Sequence, residues 1–214
     1  MATFIPEVGR IHKLIPYPKK KNLAYYLDGD TYIPVFYSYG LIVKIQDSIA
    51  NQLSIVQSYH SRVLVGLLQF NLPNGEGTKC NTVMSKFIDK FRYRVEMHYK
   101  KLGYFTHVGY VWVREQNSST AQHYHAAFFV NEQCCAGAYK LWQLAVDIWD
   151  ELCGGHVIMP TNPELTVKRG DLNSRHIALL RLSYYAKQET KQAKIFIKNY
   201  SASRMKRKKG SELY

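Results

Sequence analysis

Hydrophobic residues recur at two different spacings along the 214-residue chain, and these spacings predict a mixture of helices and strands. Apolar residues repeat every three or four positions over 41–60, 82–103, 138–155 and 172–191, which is typical of amphipathic helices. Segments 62–73, 105–115 and 122–130 are rich in Val, Phe and other large apolar residues, which favours buried strands. HVIMP at 156–160 predicts a short further strand, and Asn173 or Ser174 is the expected N-cap of the last helix.

This order of elements predicts an α+β fold, in which a central antiparallel β-sheet carries helices packed mainly on one face. Three segments are expected along the chain. Residues 1–40 are rich in Pro and Tyr and predict an irregular N-terminal arm, residues 41–197 form the main domain, and residues 198–214 form a basic C-terminal tail that we expect to be mobile.

The net charge is strongly positive and bears on the partner. Lys and Arg number 29 against 16 acidic residues, which gives +13 and favours a polyanion such as nucleic acid. The alternative is a surplus that only aids solubility. No apolar run reaches the roughly 18 to 20 residues of a membrane span, so no membrane partner is expected. The four cysteines form no CxxC pair and are expected to be free thiols in a reducing compartment.

A candidate metal site lies in the predicted hairpin of residues 105–130. Because alternate strand residues share a face, His123 and His125 point the same way. If residue 115 pairs near residue 123, Glu115 joins them on that face. Two imidazoles and one carboxylate can hold a divalent cation such as Mn²⁺, Mg²⁺, Zn²⁺ or a related ion, of which Mn²⁺ or Mg²⁺ is expected. Three protein ligands leave positions open for water or a substrate phosphate. The alternative is that the histidines merely end a hairpin; the other six histidines receive no role.

A candidate nucleophile lies on the predicted last helix. Tyr184, Lys187 and Lys191 share a helical face, and Arg181 lies on the same basic flank. A phenol is a weak nucleophile at neutral pH, and the nearby positive charge of Lys187 favours its phenolate; Lys187 can instead hold or protonate a leaving group. Tyr185 is expected to be the more buried of the two adjacent tyrosines. The alternative is that both are packing residues.

Taken together, these residues resemble the HUH endonuclease superfamily. The His-hydrophobic-His motif corresponds to His123-Tyr124-His125, a strand motif resembles LLQFNLP (67–73), and a helical Tyr with Lys three positions later corresponds to Tyr184 and Lys187. The resemblance spans roughly residues 62–192, so the main domain is predicted to be HUH-like. More narrowly, the chain is similar to the inovirus-type replication proteins of phages and integrated elements, in which the glutamate before the loop, here Glu115, is the expected third metal ligand.

The resemblance implies rolling-circle chemistry on single-stranded or origin DNA in the bacterial cytoplasm. Tyr184 would form a 5′-phosphotyrosine and free a 3′-OH; because adjacent helical residues diverge by about 100°, a single nucleophile is expected, with Tyr185 as the fallback. NGEGTKCN (74–81) lacks the spacing of a phosphate-binding loop, so unwinding would need a host helicase or supercoiling. Two alternatives stay open: a transposase or relaxase of the same chemistry, and a non-catalytic DNA-binding regulator.

Further DNA contacts are expected from basic side chains. Those of the tail are the strongest candidates for phosphate contacts, and Arg181 and Lys191 flank the predicted nucleophile. An exposed aromatic residue such as Tyr124 can stack on a base of single-stranded DNA. The tail candidates are Arg204, Lys206, Arg207, Lys208 and Lys209.

Overall fold

The computed structural model of the protein describes residues 13–18, 20–73, 80–115, 122–188 and 198–211. Within these ranges the α-helices are α1 (Val43–Tyr59), α2 (Thr82–Lys101), α3 (Ala138–Cys153) and α4 (Leu172–Leu182). The strands are β1 (Leu14–Pro16), β2 (Leu23–Asp28), β3 (Thr31–Phe36), β4 (Arg62–Asn71), β5 (Gly109–Glu115), β6 (His123–Asn131), β7 (His156–Ile158), β8 (Glu164–Lys168) and β9 (Tyr200–Ala202). No helix in the described ranges combines the length and the apolar composition that a membrane crossing requires.

An antiparallel sheet of six strands forms the centre of the molecule. Its order is β7-β4-β6-β5-β9, and β8 pairs with the same edge of β4 as β7 but at the opposite end of that strand. All of these pairings are antiparallel, and with the four helices they confirm the predicted α+β class. β4 extends over the full length of the sheet, so its first and last residues mark the two ends of the sheet.

Helices cover both faces of this sheet, so the prediction that they pack mainly on one face is wrong. Val65 and Leu67 of β4 point into a core that includes α1 and α4. Leu64, Leu68 and Phe70 of the same strand point into a second core with α2 and α3. The physical reason is the near-continuous apolar run of β4, because a strand that is hydrophobic on both faces must be covered on both.

The region predicted as an irregular arm contains a second, three-stranded antiparallel sheet, in the order β1-β2-β3. Tyr26 and Ile33 of this sheet are buried in the same core as α1 and α4. Asp28, at the end of β2, receives two hydrogen bonds of 2.6 and 2.8 Å from Arg175 of α4. The described residues of the arm therefore pack onto the main domain and do not form an irregular extension.

The basic tail is also packed against the domain over its described residues, 198–211. β9 adds to the free edge of β5, with Val113 opposite Tyr200. Further along, the Tyr59 hydroxyl donates to the Lys206 carbonyl at 2.8 Å, and the Lys208 amide donates to the Ser58 hydroxyl at 2.9 Å. The expectation of a mobile tail is therefore wrong for these residues.

The last predicted helix differs from the structure at both ends. Its N-cap is Asp171, whose carboxylate accepts from the amides of Asn173 and Ser174, the two residues predicted as caps. α4 ends at Leu182 and continues as a 3-10 turn over Ser183–Ala186. Lys187 then adopts an extended conformation, with φ −55° and ψ 138°. Residues 189–191 of the predicted helix lie outside the described residues.

One prediction on stability arises from His60, at the end of α1. Burial, reinforced by the positive charges of Arg169 and Lys208 and by His107, lowers the pKa of His60 to about 4. Its Nε2 accepts from the His107 amide at 3.3 Å, which only the neutral ring can do. Since the unfolded chain takes up this proton near pH 6.5, the stability falls as the pH drops from about 6.5 towards 4.

His60→Gln keeps a hydrogen-bond acceptor but does not titrate. We therefore expect this variant to lose about 2 kcal/mol less unfolding free energy than the wild type when the pH is lowered. Urea unfolding at pH 7 and pH 4.5 gives the change in unfolding free energy for each protein, and the two changes are then compared. An equal loss in the wild type and the variant would contradict the assignment.

Candidate functional site

Glu115, His123 and His125 meet at the ends of two central strands. In the β5–β6 pairing, Glu115 lies opposite His123 and Val113 lies opposite His125, which confirms the register inferred from strand alternation. The neighbouring positions of the same parity, Val113 and Ala127, face the core with α1 and α4. The three side chains therefore continue this face of the sheet beyond the edge of its hydrophobic core.

The geometry of the three side chains fits a metal ion. Oε2 of Glu115 lies 3.4 Å from Nε2 of His125 and 3.6 Å from Nε2 of His123. One ligand atom from each of the three lies within 4.8 Å of the others. The carboxylate is almost fully buried, with 2% of its side chain exposed, while His123 and His125 keep 19% and 16% exposed. The group can therefore hold a metal ion with an open side towards solvent.

Lys187 connects this group to Tyr184. Its Nζ lies 3.2 Å from Oε2 of Glu115 and 4.0 Å from the centre of the Tyr184 ring. Burial on its own acts to lower the pKa of Lys187, but a hydrogen bond with Tyr184 and the charge of Glu115 outweigh it, and the net shift of the pKa is upward. The ammonium therefore stays charged at neutral pH between the carboxylate and the phenol.

The two adjacent tyrosines have different environments, as expected from the sequence. Tyr185 is only 7% exposed, whereas Tyr184 is 43% exposed. The Tyr185 ring is tilted by 30° against His125, with 5.5 Å between ring centres. Burial raises the pKa of Tyr185; Arg181 opposes this shift and Glu115 adds to it. Tyr185 is thus kept as a neutral phenol packed behind His125, a candidate metal ligand, while Tyr184 faces solvent.

Residues 36–42 hold the tyrosine segment in place. The Ile42 amide donates to the Ala186 carbonyl at 2.7 Å, and the Gln188 amide donates to the Gly40 carbonyl at 3.2 Å. The Ser183 hydroxyl accepts from the Phe36 amide at 2.9 Å. The sequence pattern does not reveal this support, because most of residues 36–42 fall in the predicted irregular arm.

A row of polar side chains, not predicted from the sequence, extends the site across the sheet. Asn71 of β4 lies opposite His123 on one side and His156 of β7 on the other. Its amide nitrogen lies 3.1 Å from Nε2 of His156, and its carbonyl oxygen accepts from Gln69 at 3.2 Å. The available signal was in LLQFNLP, where Gln69 and Asn71 alternate with apolar residues at one end of a buried strand.

The predicted DNA contacts are spread over the molecule. Arg181 donates to the carbonyls of Thr161 and Asn162 at 2.8 and 2.5 Å, so it also holds the loop before β8. Lys191 lies outside the described residues. In the tail, Arg204, Lys206, Lys208 and Lys209 are exposed and Arg207 is partly exposed. That these side chains contact DNA stays a prediction.

Tyr124 does not offer its ring to a base. It is fully buried between the sheet and α2–α3, and its hydroxyl donates to Oδ1 of Asn81 at 3.1 Å. The prediction of stacking is therefore wrong: strand alternation, which puts the two histidines on one face, sends the residue between them into the opposite core.

Comparison with known proteins gives one family. No curated protein matches the chain. The family described as the YagK/YfjJ C-terminal domain matches residues 33–203, which include β4 to β9, α1 to α4 and every residue of the candidate metal group. Because this match covers well over half of the sequence, the chain belongs to the YagK/YfjJ C-terminal domain family.

Proposed function

We propose that the protein is a metal-dependent endonuclease that nicks single-stranded DNA with Tyr184 and starts rolling-circle replication from the freed 3′ end. A single observation carries this proposal: Glu115 contacts both histidines and Lys187, and Lys187 in turn lies over Tyr184. A metal-ligand set and a solvent-facing phenol therefore belong to one contiguous cluster, which is what attack on a metal-bound phosphate requires.

Glu115, His123 and His125 would hold the cation. When bound, it would withdraw charge from the scissile phosphate and neutralise part of the charge of the transition state. Mn²⁺ and Mg²⁺ are the proposed ions. Two imidazole nitrogens beside one carboxylate favour Mn²⁺ over Mg²⁺, which prefers an all-oxygen shell.

The residues of the chain supply the remaining chemistry. The Tyr184 oxygen attacks phosphorus, a tyrosine–phosphate ester forms, and the bond from phosphorus to the 3′ oxygen breaks. The phenolic proton passes to solvent, and the departing 3′ oxygen takes up a proton, so no net proton is consumed. Lys187 stabilises the negative charge that develops near the phenol oxygen because it stays protonated. Attack by a 3′-OH on the phosphotyrosine reverses the step, so strands can be rejoined without ATP.

The biological setting of the proposal follows from the resemblance to HUH replication proteins. The partner would be origin DNA in the bacterial cytoplasm, and unwinding would come from a host helicase or from supercoiling. A transposase or relaxase uses the same chemistry and differs in its DNA target. A non-catalytic regulator is the candidate of another class, and the net charge of +13 supports DNA binding in either case.

Covalent trapping tests the enzyme against the regulator. We expect the wild-type protein, mixed with Mn²⁺ and single-stranded oligonucleotides that tile the DNA around its own gene, to form an adduct that survives a denaturing gel. Because the proposed bond is to a 5′ phosphate, a 3′ label should move with the protein and a 5′ label should leave on a shorter strand. Chelation by EDTA is the control. If no tile gives an adduct, the enzyme proposal fails and the regulator is favoured.

A further inference from the structure

A second candidate site lies at the opposite end of the sheet from the metal group. It is a cleft of about 830 Å³ between the β2–β3 turn, the end of α1, the β8–α4 turn and the C-terminal segment. Lys168 of this cleft pairs with Arg62, the first residue of β4, whereas the last residue, Asn71, pairs with His123. β4 has ten residues, so about 30 Å separate the two sites.

The cleft carries a surplus of positive charge. Among the described residues, six basic and three acidic side chains line it. One acid, Asp28, is already engaged by Arg175 through two hydrogen bonds of 2.6 and 2.8 Å. The other five basic residues come from two segments that are distant in sequence: Lys168, Arg169, Arg207, Lys208 and Lys209.

Specific hydrogen bonds hold these like charges together. The Lys208 amide donates to the Ser58 hydroxyl at 2.9 Å, and the Arg169 amide donates to the Ser61 carbonyl at 2.7 Å. The positive charges of Arg169 and Lys208 also act on nearby His60. Burial and these charges together lower the pKa of its imidazole. Concentrated positive charge disfavours the folded state by self-repulsion, so its assembly by defined contacts indicates an anionic ligand.

We propose that this cleft binds the phosphate backbone of double-stranded DNA. None of the lining residues within the described part of the chain is Phe, Tyr or Trp. Proteins that bind single strands use aromatic rings as stacking platforms, whereas contact with a duplex backbone needs mainly cations. The choice of DNA as the polyanion rests on the proposed nicking function. The separation of about 30 Å corresponds to roughly nine base pairs of duplex, so the cleft would hold DNA beside the nicking site.

The test compares two triple variants that lose the same charge. Lys168→Gln, Lys208→Gln and Lys209→Gln remove cations from the cleft; Lys86→Gln, Lys100→Gln and Lys101→Gln remove exposed cations from α2. Fluorescence anisotropy measures the affinity for a labelled duplex of about 20 base pairs, in EDTA, from 50 to 200 mM NaCl. We expect the cleft variant to lose at least about tenfold in affinity and to reduce the salt slope by about 2 to 3, with the control within about twofold of the wild type.

Two results would overturn the proposal. One is an equal effect of both triple variants, which would mean a diffuse charge effect. The other is unchanged duplex binding by the cleft variant together with its loss of binding to inorganic phosphate, which would make the cleft a site for a free anion. EDTA prevents metal-dependent nicking, so duplex binding is measured independently of it. If the wild type never forms a covalent adduct, the nicking proposal fails, but the result on duplex binding still holds.

Discussion

Replacing Tyr184 by Phe is expected to reduce covalent adduct formation by at least about 10³-fold, because it removes the attacking oxygen and leaves the ring in place. Tyr185→Phe should retain adduct formation within about threefold. Tyr184 is 43% exposed under the Lys187 ammonium, whereas burial keeps Tyr185 as a neutral phenol with a raised pKa. Denaturing gels of both variants with single-stranded DNA and Mn²⁺ measure the rate of adduct formation.

Tyr185→Phe is the matched control, since it deletes the same hydroxyl one residue along the chain. The opposite pattern, with adduct lost in Tyr185→Phe and kept in Tyr184→Phe, would move the nucleophile to Tyr185. Mass spectrometry of the trapped peptide gives an independent identification, because the nucleotide mass stays on one of the two residues.

Combined replacement of His123 and His125 by Ala is expected to abolish the response of the protein to Mn²⁺. A ligand at about 100 times its Kd stabilises the folded state by about 2.7 kcal/mol, which for a chain of this size raises the melting temperature by roughly 5 to 10 °C. We expect this increase in the wild type, a smaller one with Mg²⁺ at the same concentration, and none in the double variant. Thermal melts with and without metal measure it within each protein, so any change in basal stability cancels.

His98→Ala is the control, because it removes an imidazole from α2, on the opposite face of the sheet from the metal group. It should keep the full response to Mn²⁺. An undiminished response in the double variant would show that the ion binds elsewhere, and a lost response in His98→Ala would show that the effect is not specific to the group at Glu115.

The metal group could be predicted from the sequence because its geometry is local. Glu115, His123 and His125 belong to one hairpin, and the alternation of side chains fixes their common face once the register is known. Helical spacing, which places Tyr185 near Ala178 and Leu182, predicted the burial of Tyr185.

The rest depends on contacts between distant segments, which leave no local pattern. The helical spacing of residues 172–191 gave no sign that α4 would end at Leu182, because the turn that follows is fixed by backbone hydrogen bonds to residues 36–42. β9 has only three residues and exists because β5 offers a free edge. The cleft is likewise formed by residues that are far apart in sequence. The run of basic residues in the tail was visible in the sequence, but its position beside the β8–α4 turn was not.

The two halves of the proposed nicking site differ in how much structure must open to move them. Glu115 and the two histidines lie on central strands, whose amide protons should exchange with solvent only when the whole sheet opens. Tyr184 sits on a four-residue 3-10 turn that backbone hydrogen bonds hold to a neighbouring loop and in which Tyr185 and Ala186 are buried in the core. Opening of this turn alone leaves the sheet paired, so in the proposed reaction it could carry a covalently attached DNA end away from the strands while the candidate ligands stay assembled for the next phosphate.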